Sequence, residues 1–307
     1  MMHVAVAIVG FRNAEDVGRC LVALSRSTYS DFEVIVCENG GQDACRDLKA
    51  IAPASLKGGQ QVRIVCPDGN RGFAGGVNLC ISETPDADAW WVLNPDTEPH
   101  PDALAAKVRR LREGDCEAVG CTLYRANGRI QSVGGKWISW LARAESIGLG
   151  DSLEEVVDAE AVEREQRYLN GAAMLVSRRF VERVGLMRED YFLYCEEVEW
   201  CLRALDRGVK LGFAPDARVL HAQGTTTGAG EAASRRPRLP IYLSARNSLL
   251  LTRDLFPFRL PVAAPAAMLQ LMVRYGRHGA WRQVGYAFSG LAAGLRNERD
   301  APVWMGR

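Results

Sequence analysis

Between residues 3 and 117 the chain repeats one pattern: a short apolar run, a turn, an amphipathic stretch, then the next apolar run. This alternation constrains the fold more than any other feature, because parallel strands need crossover helices and become buried on both faces. The apolar runs are His3 to Phe11, Phe32 to Cys37, Val62 to Cys66 and Trp90 to Leu93. The helical stretches are Ala14 to Ser27, Asp43 to Ile51, Gly72 to Ser82 and Pro101 to Arg112. Val17, Leu21 and Leu24 share one face of the first helix, as helical spacing requires. The expectation is an α/β fold of nucleotide-binding type, a mixed, mostly parallel sheet flanked by helices.

Open sheets of this kind bind ligands beyond the carboxyl ends of their strands, so polar residues that end apolar runs are site candidates. The fourth run, Ala89-Trp90-Trp91-Val92-Leu93, stops at Asn94-Pro95-Asp96-Thr97 and places Asp96 at such an end. The second ends at Glu38-Asn39-Gly40-Gly41-Gln42-Asp43. The third leads into Asn70-Arg71-Gly72-Phe73-Ala74-Gly75-Gly76-Val77-Asn78, a glycine-rich helix start that lets backbone approach a phosphate or lets the helix pack closely on the sheet. It is not G-x-G-x-x-G, so a dinucleotide-binding dehydrogenase is disfavoured.

Beyond Ala118 the pattern loosens into a hairpin around Ala126-Asn127-Gly128-Arg129, a polar stretch from Gly148 to Glu165, a strand over Tyr168 to Val176 and a helix over Ser177 to Val184. Tyr191-Phe192-Leu193-Tyr194-Cys195-Glu196-Glu197-Val198-Glu199 then sets three carboxylates at the start of a helix running to Arg207, within an aromatic frame. Each carboxylate is at home near a helix N-terminus, and a carboxylate among aromatic walls is also how a general base is tuned. His221 ends a short strand from Ala217, and a lone histidine acquires meaning only from a partner carboxylate. Residues 222–238 lack periodicity and are expected to form a mobile loop. From Pro240 the chain is helical and apolar, interrupted by arginines, which fits a subdomain packed on the core or a contact with a membrane surface or partner.

The bulk numbers narrow the partners. Of 307 residues, 48% are hydrophobic and 24% charged, and 38 cations against 37 anions leave a net charge of +1. No basic field marks a nucleic-acid binder. Nine cysteines are scattered without a Cys-x-x-Cys pair, and buried reduced thiols explain them better than disulfides or zinc. We see no secretory signal ahead of the first strand and no uninterrupted apolar run of about 18 residues, so a cytosolic protein is expected, with the inner face of the cell membrane as a possible seat.

Taken together, Val6 to Asn13, Glu38 to Asp43, Asn70 to Asn78, Asn94 to Thr97, Asn170 to Met174, Glu196 to Cys201 and His221 resemble, in order and spacing, the family 2 glycosyltransferases of the GT-A fold. The chain is most similar to their rhamnosyltransferase-like branch. The resemblance spans roughly residues 3 to 225, and most of 240 to 256 is similar too. It implies a GT-A domain over 1–238, with a nucleotide-sugar half (1–117) and an acceptor half (118–238), followed by a helical region over 239–307.

The function so implied is inverting transfer of a sugar from a nucleoside diphosphate, with dTDP-rhamnose favoured over another dTDP- or UDP-sugar, to a polysaccharide, glycan or glycolipid hydroxyl. Asp96 and His221 would hold Mg2+ or Mn2+. Glu38 would contact the nucleobase or ribose, with Gly10, Arg12, Asn39, Arg71, Gly72 and Asn94 lining the nucleotide pocket. Glu197 would be the base, with Glu196 its neighbouring alternative. The chain departs from the family pattern in Gly10-Phe11 for Thr-Tyr, Glu38 for Asp, Val77 for Asn, and Glu196-Glu197-Val198-Glu199 for Glu-Asp-Val-Asp. Two rival readings are a sugar nucleotidyltransferase, which needs a glycine-rich loop with Arg and a Lys directly after the first strand that Gly10-Phe11-Arg12-Asn13 does not resemble, and a non-catalytic sugar-binding scaffold.

Overall fold

A computed structural model describes residues 1–222, 228 and 231–305. The first half forms β1 (Val4–Gly10), α1 (Ala14–Leu24), β2 (Phe32–Glu38), α2 (Gln42–Ile51), β3 (Val62–Val65), α3 (Gly72–Glu83), β4 (Ala89–Leu93), β5 (Thr97–Pro99) and α4 (Ala103–Arg112). Then follow β6 (Ala118–Tyr124), β7 (Ile130–Ser132), β8 (Gly134–Ile138), β9 (Arg143–Ile147), α5 (Ala159–Glu165), β10 (Ala173–Ser177), α6 (Arg178–Val184), α7 (Glu196–Asp206) and β11 (Leu211–His221). Three helices finish the chain: α8 (Arg238–Leu255), α9 (Leu260–Gly276) and α10 (Trp281–Leu295).

A nine-stranded mixed sheet runs β3-β2-β1-β4-β10-β6-β11-β5, with β7 attached to β6. β1, β2, β3 and β4 are mutually parallel, and β10 joins β4 antiparallel. Side-chain alternation explains the two layers: Val4, Val6, Ile8, Trp91 and Leu93 face α1 and α4, whereas Trp90 and Val92 face α3, α7 and α8, as a period of two demands in a sheet covered on both faces. Lys107 is fully buried between the layers, and its Nζ donates to the carbonyls of Val119 and Ala173 at 3.0 and 2.9 Å. Burial lowers its pKa.

Several expectations shift. The fourth helix begins at Ala103 rather than Pro101, with Asp102 as its N-cap position. The strand expected over 168–176 is confined to Ala173–Ser177, while Tyr168 makes only an isolated bridge to Gly135. The final strand is longer than expected, starting at Leu211 and continuing past a register shift between Ala214 and Arg218. A two-stranded sheet of β8 and β9 forms where no pattern was legible. Of the 222–238 loop expectation, residues 223–227, 229 and 230 lie outside the described residues.

The expectation of nine reduced thiols is corrected at two positions. Cys45 on α2 and Cys66 beyond β3 form a disulfide with Cα atoms 6.1 Å apart. The parallel pairing of β2 with β3 returns the chain beneath the intervening helix, so cysteines far apart in sequence meet without any local motif. The other seven are free, six of them buried, and the two bridged residues no longer support the argument for a reducing compartment.

Candidate active site

The parallel register brings the ends of β1, β2 and β4 to one edge, because Gly10 pairs Glu38 and Ile8 pairs Leu93. The start of β10 reaches the same edge, where Ala173 pairs Leu93 and the Asn94 N–H donates to the Ala172 carbonyl at 2.9 Å. A cavity of about 640 Å³ opens there. Its walls include Asn39, Gly72, Asn94, Asp96, Glu196, Glu197 and His221, drawn from segments far apart in sequence. Gly10, Arg12, Glu38 and Arg71 do not line it.

Asp96 and His221 meet because β5 and β11 pair antiparallel in a register that sets His221 opposite Thr97, with the Ala222 N–H donating to the Asp96 carbonyl at 3.0 Å. His221 Nε2 lies 3.3 Å from Asp96 Oδ1, and both side chains are largely buried. On the other side of the ring, Nδ1 lies 3.1 Å from Gln131 Oε1. A carboxamide oxygen accepts, so this contact suits the tautomer with its proton on Nδ1, which would leave the Nε2 lone pair for a cation. Nε2 is buried without a hydrogen-bond donor. An imidazole fixed by a polar partner behind it, with a lone pair and a carboxylate oxygen converging in front, is the donor set of a divalent cation site. Among the described residues no group of three or more His, Cys, Asp or Glu assembles; Mg2+ and Mn2+ commonly complete their coordination with phosphate oxygens and water.

Glu38 is 1% exposed. Its Oε1 accepts the Arg12 and Gly40 N–H groups at 3.0 and 2.7 Å, while Oε2 is buried without a partner. A Cβ added to Gly10 would sit 2.8 Å from that Oε2. Two of the departures from the family pattern are therefore one: glycine in β1 makes the room that the longer carboxylate on β2 occupies. Asn39 ties the same edge to the next segment, its Nδ2 donating to the Gly72 carbonyl at 2.8 Å. Arg12 itself is exposed and donates to the Gly40 carbonyl, and Arg71 pairs with Glu189 at 3.6 Å.

The glycine-rich start of α3 turns inward. Gly72 has φ +71°, and a Cβ there would lie 2.2 Å from the Phe192 carbonyl oxygen. The Gly72 N–H is taken by Asn70 Oδ1 and the Phe73 N–H by the Phe192 carbonyl, so these two amides bind the protein rather than an anion. Gly76 allows close packing instead, since its Cβ would strike Val9 at 2.6 Å.

Phe192 belongs to a strained segment. Phe192, Tyr194 and Cys195 have φ of 66°, 73° and 71°, each costing of order 1 kcal/mol or more for residues that carry a Cβ. The residues that hold it were not singled out from sequence. Asn247, fully buried on α8, directs its Nδ2 at the carbonyls of Tyr191, Leu193 and Tyr194 at 2.8–2.9 Å. Arg246 donates to the Tyr191 carbonyl at 3.0 Å and to the Asp300 carbonyl at 2.7 Å, and its Nε braces Asn247 Oδ1. The polar residues Arg246-Asn247-Ser248 directly before the apolar Leu249–Leu251 were the available signal.

This segment delivers Glu196 and Glu197 to the first turn of α7. Glu197 is half-buried; burial raises its pKa, and its own N–H and that of Val198 oppose the rise. Glu196 is 2% exposed, and burial first and the charge of Glu197 second push its pKa well up. Its Oε2 is buried without a hydrogen-bond partner. Gly171 packs against Glu197 Cβ and Cγ, where a Cβ would come within 3.3 Å, so the absence of a side chain there settles the rotamer. A cavity with a cation-ready pair on one wall and an elevated carboxylate on another can polarise an anionic leaving group and accept a proton from a hydroxyl.

Known proteins resemble this chain in sequence and in fold. Residues 2–238 match the family model described as glycosyltransferase like family 2. The N-acetylglucosaminyl-diphospho-decaprenol L-rhamnosyltransferase of Mycobacterium tuberculosis is 25% identical over 268 residues, covering 79% of this chain and 84% of that protein. The low-salt glycan biosynthesis hexosyltransferase Agl10 of Haloferax volcanii is 22% identical over 255 residues, covering 82% and 76%. Among solved structures, the mannosyltransferase PcManGT from Pyrobaculum calidifontis, in complex with GDP-Man and Mn2+, superposes with a TM-score of 0.57 at 17% identity, covering 96% of this chain and 88% of that one. That last likeness carries the fold alone.

Proposed function

This chain belongs to glycosyltransferase family 2 and has the GT-A fold, and from that premise we propose that it is an inverting enzyme using a nucleoside-diphosphate sugar, dTDP-rhamnose ahead of other dTDP- or UDP-sugars. The observation that carries the reading is the convergence of Asp96, His221 and Glu197 on one cavity. Glu38, with one buried oxygen unpartnered, is held ready for a donor hydrogen on the nucleobase or ribose, and Asn39, Gly72 and Asn94 shape the wall that receives the nucleotide.

Asp96 and His221 would hold Mg2+ or Mn2+, which when bound offsets the negative charge that collects on the diphosphate. Glu197 takes the proton of the acceptor hydroxyl while that oxygen attacks the anomeric carbon. The bond from that carbon to the diphosphate oxygen breaks with its electron pair leaving on the diphosphate, and configuration inverts. Glu196, raised in pKa by burial and by the charge of Glu197, stands beside it in the cavity wall as the alternative base.

The acceptor class we favour is a lipid-linked glycan hydroxyl, supported by the decaprenol-linked substrate in the name of the mycobacterial relative. Such an acceptor would be met at a membrane surface, and the cytoplasmic face is the side that suits a nucleotide-sugar user. Incubating the protein with Mn2+ and dTDP-rhamnose, UDP-sugars or GDP-mannose, and measuring release of the nucleoside diphosphate, tests the reading. Release from one donor that stops in Glu197→Gln is expected; no release from any donor would overturn it.

A further inference from the structure

The C-terminal helices differ in how they divide apolar from polar surface. α8 buries most of its length, and α10 buries Val284, Ala287 and Leu291. α9 buries only Ala263, Ala267 and Tyr275, although its sequence is apolar nearly all round. Its outward face carries Val262, Met268, Leu269, Met272 and Val273, preceded by Phe258. Phe258 is 95% exposed, Leu269 60% and Val273 55%, and Trp281 beyond the helix is 67% exposed. On α9, positions 262, 265, 269 and 272/273 recur every three or four residues and so form one strip, with Phe258 exposed in the turn just before it. An apolar strip left open on a helix that is already packed on its other side marks a surface meant to be covered.

Charge indicates what covers it. Residues 255–297 contain five arginines (Arg259, Arg274, Arg277, Arg282 and Arg296) and no Asp or Glu. The acids at either border are engaged, Asp254 by Arg188 and Arg299 and Glu298 by Arg296. Arg259 is pinned at the start of α9, 5.1 Å over both the Trp140 and Phe256 rings, and Arg274 and Arg277 stand exposed at its end. The strip is thus bracketed by cations at both ends. No helix among the described residues is long and apolar enough to cross a membrane, and α9 carries two prolines in its 17 residues.

We propose that Phe258, the outward face of α9 and Trp281 seat the enzyme on an anionic lipid surface, the strip lying at the acyl boundary and the arginines on lipid phosphates. A second copy of this chain fits less well, because two-fold pairing of the same face sets arginine against arginine with no acid between them. The inference takes its purpose from the lipid-linked acceptor reading, while the surface itself can be tested without catalysis.

Vesicle sedimentation decides it, with phosphatidylglycerol–phosphatidylcholine vesicles compared with phosphatidylcholine alone. Wild type should bind the anionic vesicles, more weakly as salt rises. Leu269→Glu/Val273→Glu should lower the partition at least about tenfold, and Arg274→Gln/Arg277→Gln should lower it by less. All four positions are at the surface, so circular dichroism and transfer to a water-soluble acceptor should be unchanged. Failure of the wild type to bind, or equal binding by the glutamate variant, would overturn the proposal. So would a concentration-dependent dimer by ultracentrifugation that Leu269→Glu abolishes in a protein without vesicle affinity. Absent transfer with vesicle binding intact would count against the catalytic reading and leave this one standing.

Discussion

The two walls of the cavity are built by opposite means. On the nucleotide side, Asn39 in the wall and Glu38 beside it stand at a strand end and are held by main-chain groups of the adjoining turns, at Gly72 and at Arg12 and Gly40, and a single antiparallel register joins Asp96 to His221. On the other side, Glu197 follows a segment with three residues at positive φ, kept in place by Asn247 and Arg246 from a helix that begins more than 40 residues later. The first wall is rigid because the sheet is rigid. The second is a strained loop clamped from a distance, so its geometry can be altered without touching the first. If the division is real, binding and chemistry should separate under mutation.

The largest effect expected is in Glu197→Gln, which removes the base and should lower the transfer rate about 10³-fold with nucleotide affinity retained, as read by single-turnover kinetics and calorimetry. Asn247→Ala should come next. Losing this side chain strips its hydrogen bonds from the Leu193 and Tyr194 carbonyls, while the Tyr191 carbonyl keeps Arg246; this should cost about 1–3 kcal/mol of stability and let Glu197 drift, with a loss in kcat on the order of 10²-fold. A donor KM raised as much as kcat is lowered would break the comparison, because the clamp would then serve both walls.

Gly10→Ala probes the other wall. Its Cβ must displace the Glu38 carboxylate, and a strain of about 1–3 kcal/mol should weaken nucleotide binding roughly tenfold while leaving kcat nearly unchanged. Adding Glu38→Asp should recover part of that loss, since the shorter acid vacates the space; no recovery would mean that the two positions are not coupled.

The smallest effect is one of pH. Because burial raises Glu197 above its ordinary 4.5 and the base must be ionised, kcat/KM should fall with acidification through a pKa above 4.5, and Glu197→Asp should displace that limb. Stability runs the other way. Glu196 titrates higher in the folded than in the unfolded chain, so its contribution is complete below about 4.5 and is lost as pH rises through the folded value. The melting temperature of Glu196→Gln should therefore gain on wild type as pH is raised.

How far the chain could be read from its residues follows the same division. The alternating halves of β1 to α4 were legible because both faces of a parallel sheet must be covered, and Asp96, Glu38 and Asn39 could be found because each ends an apolar run. The β8–β9 sheet was not legible, since Arg143–Ile147 has no apolar alternation and borrows its place from a partner strand. The Cys45–Cys66 bridge and the pairing of His221 with Gln131 arise from tertiary proximity, which spacing does not encode. The roles of Arg246 and Asn247 were hidden for a related reason: their polarity stands out beside Leu249–Leu251, but the carbonyls they serve are main-chain acceptors, which the sequence does not single out. The glycines of α3 illustrate a motif read for its backbone alone, because two of its first amides are already spent on Asn70 and Phe192.

The most direct test of a binding wall distinct from a chemical wall is calorimetric titration of dTDP, UDP and GDP, with and without Mn2+, into wild type, Asp96→Ala and Glu197→Gln side by side. The account predicts that one nucleotide binds wild type in a metal-dependent way, that Asp96→Ala loses this binding, and that Glu197→Gln keeps it. Metal-independent binding that survives in Asp96→Ala, or binding lost only in Glu197→Gln, would contradict it.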